Sequence, residues 1–239
     1  MDYFMKRGIF ISIEGGEGTG KTTQTGLIRD YLQARGYSVL LTFEPGGTRI
    51  GRSIRKILLD PSNKEIDAYT ELFLYMADRA QHIRQVVIPA LNKKGRAVVT
   101  DRFTDATVAY QGFGRGISAS LIDVLNRSVT AGIRPDLTIC LDLGPDIKSG
   151  LLRAKSKNIR DRIEEERISF HRKVRNGYLS LARREPGRIK IVKVVSPAER
   201  TFAMIKKHID KLLKKSAGWP VSRLACYKPG NRKTSKPAN

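Results

Sequence analysis

Short apolar runs rich in β-branched residues recur along the chain, and longer segments of helical periodicity separate them. Runs of this length are typical of buried strands. Strands that alternate with helices form a parallel sheet with helices on both faces. We therefore predict a doubly wound α/β fold with about five parallel strands. The predicted strands are residues 9–13, 39–43, 97–100, 137–143 and 189–195.

Between these runs, apolar side chains recur at intervals of three and four residues, which is the spacing of one face of a helix. We interpret every such face as packing against the core. Pro89 predicts a kink in the third helical segment, because proline has no amide hydrogen to donate. The apolar faces consist of Leu27, Ile28, Tyr31 and Leu32; Ile50, Ile54, Ile57 and Leu58; Ile83, Val86, Val87 and Leu91; Ile122, Leu125 and Val129; and Phe202, Ile205, Ile209 and Leu212.

Two stretches break the alternation. Residues 153–162 are rich in Lys and Arg and poor in apolar residues, which is typical of either a solvated helix end or a mobile basic loop. After Leu213 the periodicity stops, and a basic segment without any acidic residue follows. Such a composition buries little apolar surface. We predict one folded domain over residues 1–215 and a disordered basic tail over residues 216–239.

The chain is strongly basic. Its 45 Lys and Arg against 23 Asp and Glu give a formal net charge of +22, which favours anionic partners such as nucleotides, nucleic acids or acidic membrane surfaces. The apolar run near the N-terminus is far too short to span a bilayer. Cys140 and Cys226 have no spacing typical of a metal site. We expect a cytoplasmic protein without a zinc site or a disulfide framework.

Residues 15–22 read GGEGTGKT, which matches the phosphate-loop pattern G-x-x-x-x-G-K-[ST] between a predicted strand and a predicted helix. Backbone amides of such a loop turn inward around phosphate oxygens, and the following helix points its positive end at them. Lys21 would reach the β- and γ-phosphates, and the Thr22 hydroxyl would bind Mg²⁺. An ordinary glycine-rich turn is the alternative. The predicted ATP-binding residues are Gly15, Gly16, Glu17, Gly18, Thr19, Gly20, Lys21, Thr22 and Thr23.

A carboxylate and an arginine follow the third predicted strand. Asp101 would lie at the carboxyl end of that strand, where Mg²⁺ or its water ligands would sit, and Arg102 would point towards the same crevice. A helix-capping aspartate beside a surface arginine is the alternative. Residues 109–116 then read AYQGFGRG. A glycine-rich backbone around polar side chains suits a loop that closes on a small ligand.

At these motifs the sequence resembles bacterial thymidylate kinases. The matching segments occur in that family's order and extend to about Leu213, so that only the basic tail lies outside the resemblance. The resemblance implies a P-loop nucleoside monophosphate kinase that phosphorylates dTMP to dTDP with ATP and Mg²⁺, commonly as a homodimer. The segments are IEGGEGTGKTTQ at 13–24, EPGGT at 44–48, LYMADRAQH at 74–82, DRFTDATVAYQGFGRG at 101–116, RPDLT at 134–138 and DRIE at 161–164.

The resemblance also implies roles for individual residues on the acceptor side. Tyr75, with Phe73 as the neighbouring alternative, would stack on thymine, and Arg79 would reach the base edge. Without the resemblance, both aromatic residues would be interpreted as core residues. Tyr110 would crowd the sugar so that a 2′-hydroxyl fits poorly, and Glu17 would lie near the 3′-hydroxyl and the metal. The implied acceptor-binding residues are Glu44, Pro45, Tyr75, Arg79, Thr107, Tyr110 and Gln111, with Arg55 and Arg102 for the acceptor phosphate.

The basic stretch 153–162 occupies the place of the family's lid, which closes on ATP. In bacterial members with a small residue at the position of Thr19, the lid normally supplies catalytic arginines. Here Arg153 is kept but lysines stand where other arginines are usual, so that Arg153, Lys157 and Arg160 all remain candidates. The implied catalytic residues are Lys21, Glu17, Arg102, Arg153 and Lys157.

Two other functions remain open. Another nucleoside monophosphate kinase would combine the same phosphate loop with a different acceptor, and a P-loop ATPase that binds nucleic acid would use the basic tail. The acceptor residues favour the kinase, because a switch or a motor does not need them. We expect no membrane association and at most weak nucleic-acid binding through the tail. His82, His171 and His208 show no base or metal partner in the sequence, and we predict no catalytic role for them.

Overall fold

The structure is a computed structural model, and it describes residues 8–155 and 161–216 of the chain. The predicted basic tail lies outside the described residues from residue 217 onwards. The lid candidates Lys157 and Arg160 also lie outside them. Within the described ranges, no helix combines the length and the apolar character that a membrane crossing requires.

Five strands form a single parallel sheet in the order β2–β3–β1–β4–β5. The predicted α/β fold with about five parallel strands is therefore confirmed. The central strands β1, β3 and β4 are almost entirely buried, which is expected when helices cover both faces of a sheet. The strands are β1 (Ile9–Gly15), β2 (Ser38–Phe43), β3 (Arg96–Asp101), β4 (Leu137–Asp142) and β5 (Ile189–Lys193).

Helices occupy the connections between the strands and form a layer on each face of the sheet. On one face, Ile11 and Ile13 of β1 pack in one cluster with apolar side chains of the first and the last helix. On the other face, Phe10 packs with Ile83 and Phe103. The described helices are α1 (Lys21–Gln33), α2 (Arg49–Leu59), α3 (Ala68–His82), α4 (Ile88–Leu91), α5 (Thr104–Thr107), α6 (Ala119–Thr130), α7 (Ile147–Lys155), α8 (Ile168–Arg184) and α9 (Ala198–Ser216).

Only part of the apolar face that the periodicity predicted in α2 packs against the core. Leu58 is fully buried and Ile54 is half-buried, whereas Ile50 and Ile57 are 44% and 47% exposed. The core interpretation is therefore confirmed for Leu58 and wrong for Ile50 and Ile57. The spacing of apolar residues identifies an apolar side of a helix, but it carries no information about the neighbour that this side meets.

Two π-helical segments stand where the sequence predicted other features. The segment Ile83–Val87 joins α3 to α4, and the Ile88 amide donates to the Ile83 carbonyl. Pro89, which has no amide hydrogen, follows within α4. The segment Val108–Gly114 is also π-helical. The stretch that we expected to form a closing loop is therefore mostly helical, and π-helical turns are frequent at functional sites.

Candidate active site

The phosphate loop and the Asp101–Arg102 pair leave the sheet at the same edge. β1 and β3 are hydrogen-bonded neighbours, with Ile13 paired to Asp101. In an open parallel sheet, ligands bind outside the carboxyl ends of the strands, next to the point where the strand order reverses. β1 lies between β3 and β4, so that this edge is such a point.

The loop between β1 and α1 depends on glycines at two positions. Gly20 precedes α1 with φ of 84°, and Gly18 has φ of 66°. A Cβ atom on Gly18 would also collide with the Gly150 carbonyl of α7. The Lys21 ammonium donates to the Gly16 carbonyl at 2.9 Å and to the Gly15 carbonyl at 3.3 Å. These contacts hold the lysine side chain across the loop, where its charge faces any phosphate that the loop binds.

A large cleft joins the phosphate loop to the predicted acceptor residues. Its volume of about 740 Å³ lies within the roughly 300–1,000 Å³ of a typical ligand pocket. Of the predicted site residues, the structure places Glu17, Gly18, Thr19, Gly20, Lys21, Thr22, Thr23, Glu44, Pro45, Arg55, Tyr75, Arg79, Asp101, Arg102, Thr107, Tyr110 and Gln111 on its walls.

Arg102 is held rigidly at the centre of this cleft. Its backbone adopts φ of 70°, which is uncommon for a residue with a side chain. Its Nη2 donates to Glu17 Oε1 at 2.5 Å, and its Nη1 donates to the Gly15 carbonyl at 3.1 Å. The Tyr110 hydroxyl donates to the same Glu17 oxygen at 2.7 Å. The four residues form one network, so that Glu17 orients both the arginine and the tyrosine.

Glu17 keeps its negative charge in this setting. Burial alone would raise the pKa of the carboxyl group, but the charges of Arg102 and Lys21 and the Tyr110 hydroxyl outweigh burial and lower the pKa to about 2. The carboxylate therefore stays ionised at neutral pH. It acts as a hydrogen-bond acceptor and as a counter-ion for Arg102 and Lys21.

Glu44, which follows β2, accepts hydrogen bonds from two residues of α3. Arg79 Nε lies 2.7 Å from Glu44 Oε2, and His82 Nδ1 lies 2.8 Å from Glu44 Oε1. His82 Nε2 in turn lies 2.6 Å from the Thr42 hydroxyl. The expectation that His82 has no partner is therefore wrong. The network fixes the loop after β2 against α3, and burial of Glu44 is offset by Arg79 and His82, which hold the pKa of its carboxyl below the usual value.

The structure separates the two aromatic candidates of α3. Tyr75 lines the cleft, and burial raises the pKa of its hydroxyl. Phe73 is 53% exposed and is not part of the cleft wall. Only Tyr75 can therefore contact a ligand in the cleft among these two residues.

The lid candidates are only partly described. Arg153 lies on an exposed position of α7 and is not among the described residues that line the cleft, and Lys157 and Arg160 fall in the gap. Beyond the gap, Arg162 is buried and donates to Glu71 Oε2 at 2.6 Å and to the Leu58 carbonyl at 3.0 Å. The C-terminal end of the basic stretch is thus fastened to α2 and α3, and the basic-loop interpretation does not apply to Arg162.

The carboxyl end of β3 offers an oxygen that suits a divalent cation. Asp101 Oδ1 is buried and has no hydrogen-bond partner among the described residues. The exposed Thr22 hydroxyl lines the same cleft. In the described part of the chain, no three His, Cys, Asp or Glu side chains converge on one metal position. One carboxylate and one hydroxyl fit Mg²⁺ rather than zinc, because Mg²⁺ keeps water ligands and binds the substrate's phosphates.

Comparison with known proteins agrees with this geometry. The sequence profile of the family described as Thymidylate kinase matches residues 13–205. The chain belongs to the thymidylate kinase family. Thymidylate kinase from Desulfosudis oleivorans is 48% identical over 197 residues, which cover 80% of this chain and 91% of the relative. Thymidylate kinase from Gloeobacter violaceus is 49% identical over 207 residues, which cover 86% and 96%.

Solved structures support the same family. A crystal structure of thymidylate kinase from Ehrlichia chaffeensis matches with a TM-score of 0.67 and 32% sequence identity. The match covers 85% of this chain and 99% of that chain. The resemblance stated from the sequence motifs is thus confirmed, and so is the P-loop fold that it implied.

Sequence reasoning missed two buried carboxylates next to this cleft. Glu14, at the end of β1, accepts hydrogen bonds from the Phe103 amide at 2.8 Å and from the Tyr178 hydroxyl at 2.9 Å. Glu71 of α3 accepts one from Gln111 at 2.9 Å. Glu14 falls inside the matched phosphate-loop segment, but no spacing rule connects it to Tyr178, 164 residues away. Only the general rule that buried polar groups need hydrogen-bond partners could have identified Glu14 from the sequence.

Proposed function

We propose that this chain transfers the γ-phosphoryl group of ATP to dTMP in the cleft between the phosphate loop and the π-helical segment Val108–Gly114. The observation that carries the proposal is one continuous cleft whose walls include both the phosphate loop and the acceptor residues. A P-loop switch or motor needs the first wall only. Membership of the thymidylate kinase family supports ATP as the phosphate donor and dTMP as the acceptor.

The positive charges of the cleft stabilise the transferring group. Lys21 lies across the phosphate loop, and Arg102 is held by Glu17 at the junction between the loop and the acceptor wall. Arg55, whose Nη1 donates to the Pro45 carbonyl at 2.8 Å, lies on the acceptor wall. Phosphoryl transfer depends on positioning and on charge stabilisation rather than on a covalent intermediate. These three cations therefore bind and orient phosphate oxygens on either side of the transferred group.

Mg²⁺ is part of the proposal, with Thr22 and Asp101 holding the ion or its water ligands. The unpartnered Asp101 Oδ1 supports this assignment. When bound, the ion neutralises phosphate charge that develops during the transfer.

The acceptor base and sugar would contact the other end of the cleft. Tyr75 supplies an aromatic face, and Arg79, Thr107 and Gln111 supply polar groups. Tyr110, whose hydroxyl is bound to Glu17, would limit the space beside the sugar. Glu44 and Pro45 shape the wall next to Arg55.

Residues 153–162 would act as the lid that closes on ATP. Because lysine lacks the planar fork of arginine, Arg153, Lys157 and Arg160 differ in how they can hold phosphate oxygens. We propose Arg153 and Lys157 as the catalytic pair of this segment. We further propose that the enzyme is cytoplasmic and that its catalytic domain ends near residue 215. The basic tail would attract nucleic acid only weakly.

A homodimer is also proposed, and exposed apolar side chains on three neighbouring helices support it. The helices α2 and α6 both pack against α3. A cluster of exposed apolar residues on one such layer is typical of an interface. We define the exposed apolar face as Ile50 and Ile57 of α2, Tyr69 and Phe73 of α3, and Val124 of α6.

An ADP-release assay tests the proposed reaction. The full-length chain is incubated with ATP, Mg²⁺ and one acceptor at a time: dTMP, dCMP, GMP, AMP or single-stranded DNA. We expect dTMP to be the best acceptor, and DNA to stimulate no release. A purine monophosphate as best acceptor would contradict the dTMP assignment, and DNA-stimulated release without any acceptor would favour the ATPase alternative.

The variant Lys21→Ala links that activity to the phosphate loop. It removes a charge next to the transferring group, so that kcat should fall by about 10²–10³. Its melting temperature should stay close to that of the wild type. Lys64→Ala, which removes an exposed lysine outside the cleft, is the matched control and should keep full activity.

A further inference from the structure

Glu71 is a buried carboxylate that the proposed phosphoryl transfer does not use directly. It lies on α3 and its side chain is fully buried. Its Oε2 accepts from Arg115 Nη2 at 2.8 Å and from Arg162 Nη2 at 2.6 Å. Its Oε1 accepts from Gln111 Nε2 at 2.9 Å and from Arg115 Nε at 3.1 Å. Glu71 therefore joins two arginines outside the cleft wall to a glutamine on the wall.

This carboxylate determines which end of the Gln111 amide faces the cleft. An ionised carboxylate only accepts hydrogen bonds, so that it pairs with the NH₂ group of an amide and not with its oxygen. Burial opposes the ionisation of Glu71, but Arg115, Gln111 and Arg162 outweigh it and hold the pKa below the usual value. With Nε2 fixed on Glu71, the carbonyl oxygen Oε1 points the other way. Gln111 thus offers an acceptor, rather than a donor, to a ligand in the cleft.

Arg79 offers the complementary donor on the same wall. Its Nε donates to Glu44, its Nη1 to Thr107 and Asn126, and its Nη2 to the Phe103 carbonyl. A guanidinium group has five N–H donors, and these contacts engage four of them. The fifth belongs to Nη2. Because the other four contacts prevent the group from rotating, the remaining donor has a fixed direction.

We propose that Glu71 is a positioning residue that sets the base specificity of the acceptor site by fixing the orientation of the Gln111 amide. Both groups line one cleft, and Arg79 is bonded to Thr107, which precedes Gln111 by four residues. A fixed donor and a fixed acceptor on this wall match an edge with a carbonyl oxygen next to a ring N–H, which thymine and uracil present. Cytosine presents the reverse pattern, an amino group next to an unprotonated ring nitrogen. Bound cytosine would leave Arg79 facing a donor and Gln111 Oε1 facing an acceptor, which is costly in a buried site.

The proposal rests on the proposed dTMP kinase function, and three acceptors test it separately. Steady-state kcat/KM is measured with dTMP, dUMP and dCMP for the wild type and for Glu71→Gln. A glutamine at position 71 has both a donor and an acceptor, so that Gln111 can turn over and present its NH₂ group to the cleft. We expect the dTMP/dCMP ratio of kcat/KM to fall about tenfold or more, which corresponds to one hydrogen bond.

The dTMP/dUMP ratio serves as an internal control. dUMP has the same hydrogen-bonding edge as dTMP and lacks only the methyl group. A loosened or partly unfolded site would change both ratios, whereas a turned amide changes the dCMP ratio alone. We therefore expect the dTMP/dUMP ratio of Glu71→Gln to stay within about twofold of the wild-type ratio. Only a change in the shape of the site would alter the discrimination between a base with the methyl group and a base without it.

Two further variants distinguish a change in the orientation of the Gln111 amide from a loss of structural support around Glu71. Arg115→Gln removes ion pairs of the same carboxylate and leaves the amide contact, so that the dTMP/dCMP ratio should be retained. The exchange Glu71→Gln with Gln111→Glu places a carboxylate on the cleft wall and an NH₂ group behind it. Position 111 then again offers an acceptor only, and the ratio should return towards the wild-type value.

Each outcome decides the proposal. An unchanged dTMP/dCMP ratio in Glu71→Gln, or an equal loss in Arg115→Gln, overturns the orientation role of Glu71. Failure of the exchange variant to recover selectivity, while it still turns over dTMP, does the same. If the wild type does not phosphorylate dTMP at all, the proposed function is wrong, which is a different result from loss of selectivity.

Discussion

Arg102 illustrates at the scale of single residues how buried groups position a half-buried side chain. Its left-handed backbone is flanked by two hydrogen bonds: Thr100 Oγ1 donates to the Arg102 carbonyl at 2.9 Å, and the Phe103 amide donates to Glu14 at 2.8 Å. Such a conformation persists only where surrounding contacts determine it. The arginine therefore needs Glu14 behind it as well as Glu17 in front of it.

Glu14 predicts a pH dependence of stability. Burial, followed by the charge of Asp105, raises the pKa of the Glu14 carboxyl to about 7, against the partial compensation of Arg102, Ser12 and Tyr178. In the unfolded chain this carboxyl loses its proton near pH 4.5. Between these values the unfolded state has released a proton that the folded state keeps. The stabilisation of the folded state by the protonated Glu14 carboxyl is thus complete below about pH 4.5 and is lost as pH rises through about 7.

The variant Glu14→Gln cannot ionise and should lack this decline. Its free energy of unfolding, relative to that of the wild type, should increase by up to about 3 kcal/mol between pH 5 and pH 8. Urea denaturation of both proteins at several pH values measures the difference. Parallel curves for the two proteins would show that Glu14 does not titrate in this range.

At the scale of elements, α2 connects a helix cap to the acceptor wall. Thr48 precedes the helix, is buried, and its hydroxyl oxygen accepts from the Gly51 amide at 2.9 Å. The helix carries Arg55 into the cleft. Thr48→Ala should cost about 1 kcal/mol of stability. It should also raise KM for dTMP more than KM for ATP, because α2 lies on the acceptor wall and not beside the phosphate loop.

Calorimetry and steady-state kinetics with each substrate varied in turn measure these two effects. Thr48→Ser keeps a hydroxyl at the cap and is the matched control, so that it should behave like the wild type. An equal rise in both KM values would indicate a general loss of structure instead of a local change in α2.

Local sequence patterns predicted most elements of the fold and only part of the site. The strands and the phosphate loop have signals within a few residues, namely β-branched runs and an uninterrupted glycine-lysine pattern. The π-helical segments have no such signal, because their hydrogen bonds differ from those of an α-helix by one residue only. The partners of Glu14 and Glu71 depend on tertiary contacts over many residues, which periodicity does not encode.

The outward side of α2 was mispredicted for a reason that belongs to the whole molecule. Periodicity indicates that one side of a helix is apolar. Packing of that side against the core of the same chain and packing against a second subunit both remove it from water. The exposed apolar face of α2, α3 and α6 is explained if another copy of the chain covers it. Symmetric pairing of one such face is the commonest form of oligomer.

Phe73→Glu tests this dimer within the exposed apolar face. The residue is 53% exposed on α3, which packs between α2 and α6. In the monomer a glutamate at this position faces solvent, so that the core is not disturbed. In a dimer its charge would be buried without a partner, which destabilises association. We expect wild-type chains to sediment as dimers at micromolar concentration and Phe73→Glu chains to sediment as folded monomers.

Leu152→Glu provides the matched control for that experiment. Leu152 is 67% exposed and lies on α7, outside the exposed apolar face, so that the same change of charge there should leave the dimer intact. Sedimentation velocity and circular dichroism of all three proteins distinguish dissociation from unfolding. A wild-type chain that sediments as a monomer would contradict the dimer. If Phe73→Glu chains still form dimers, the interface lies on a different surface, and the exposed apolar side of α2 needs another explanation.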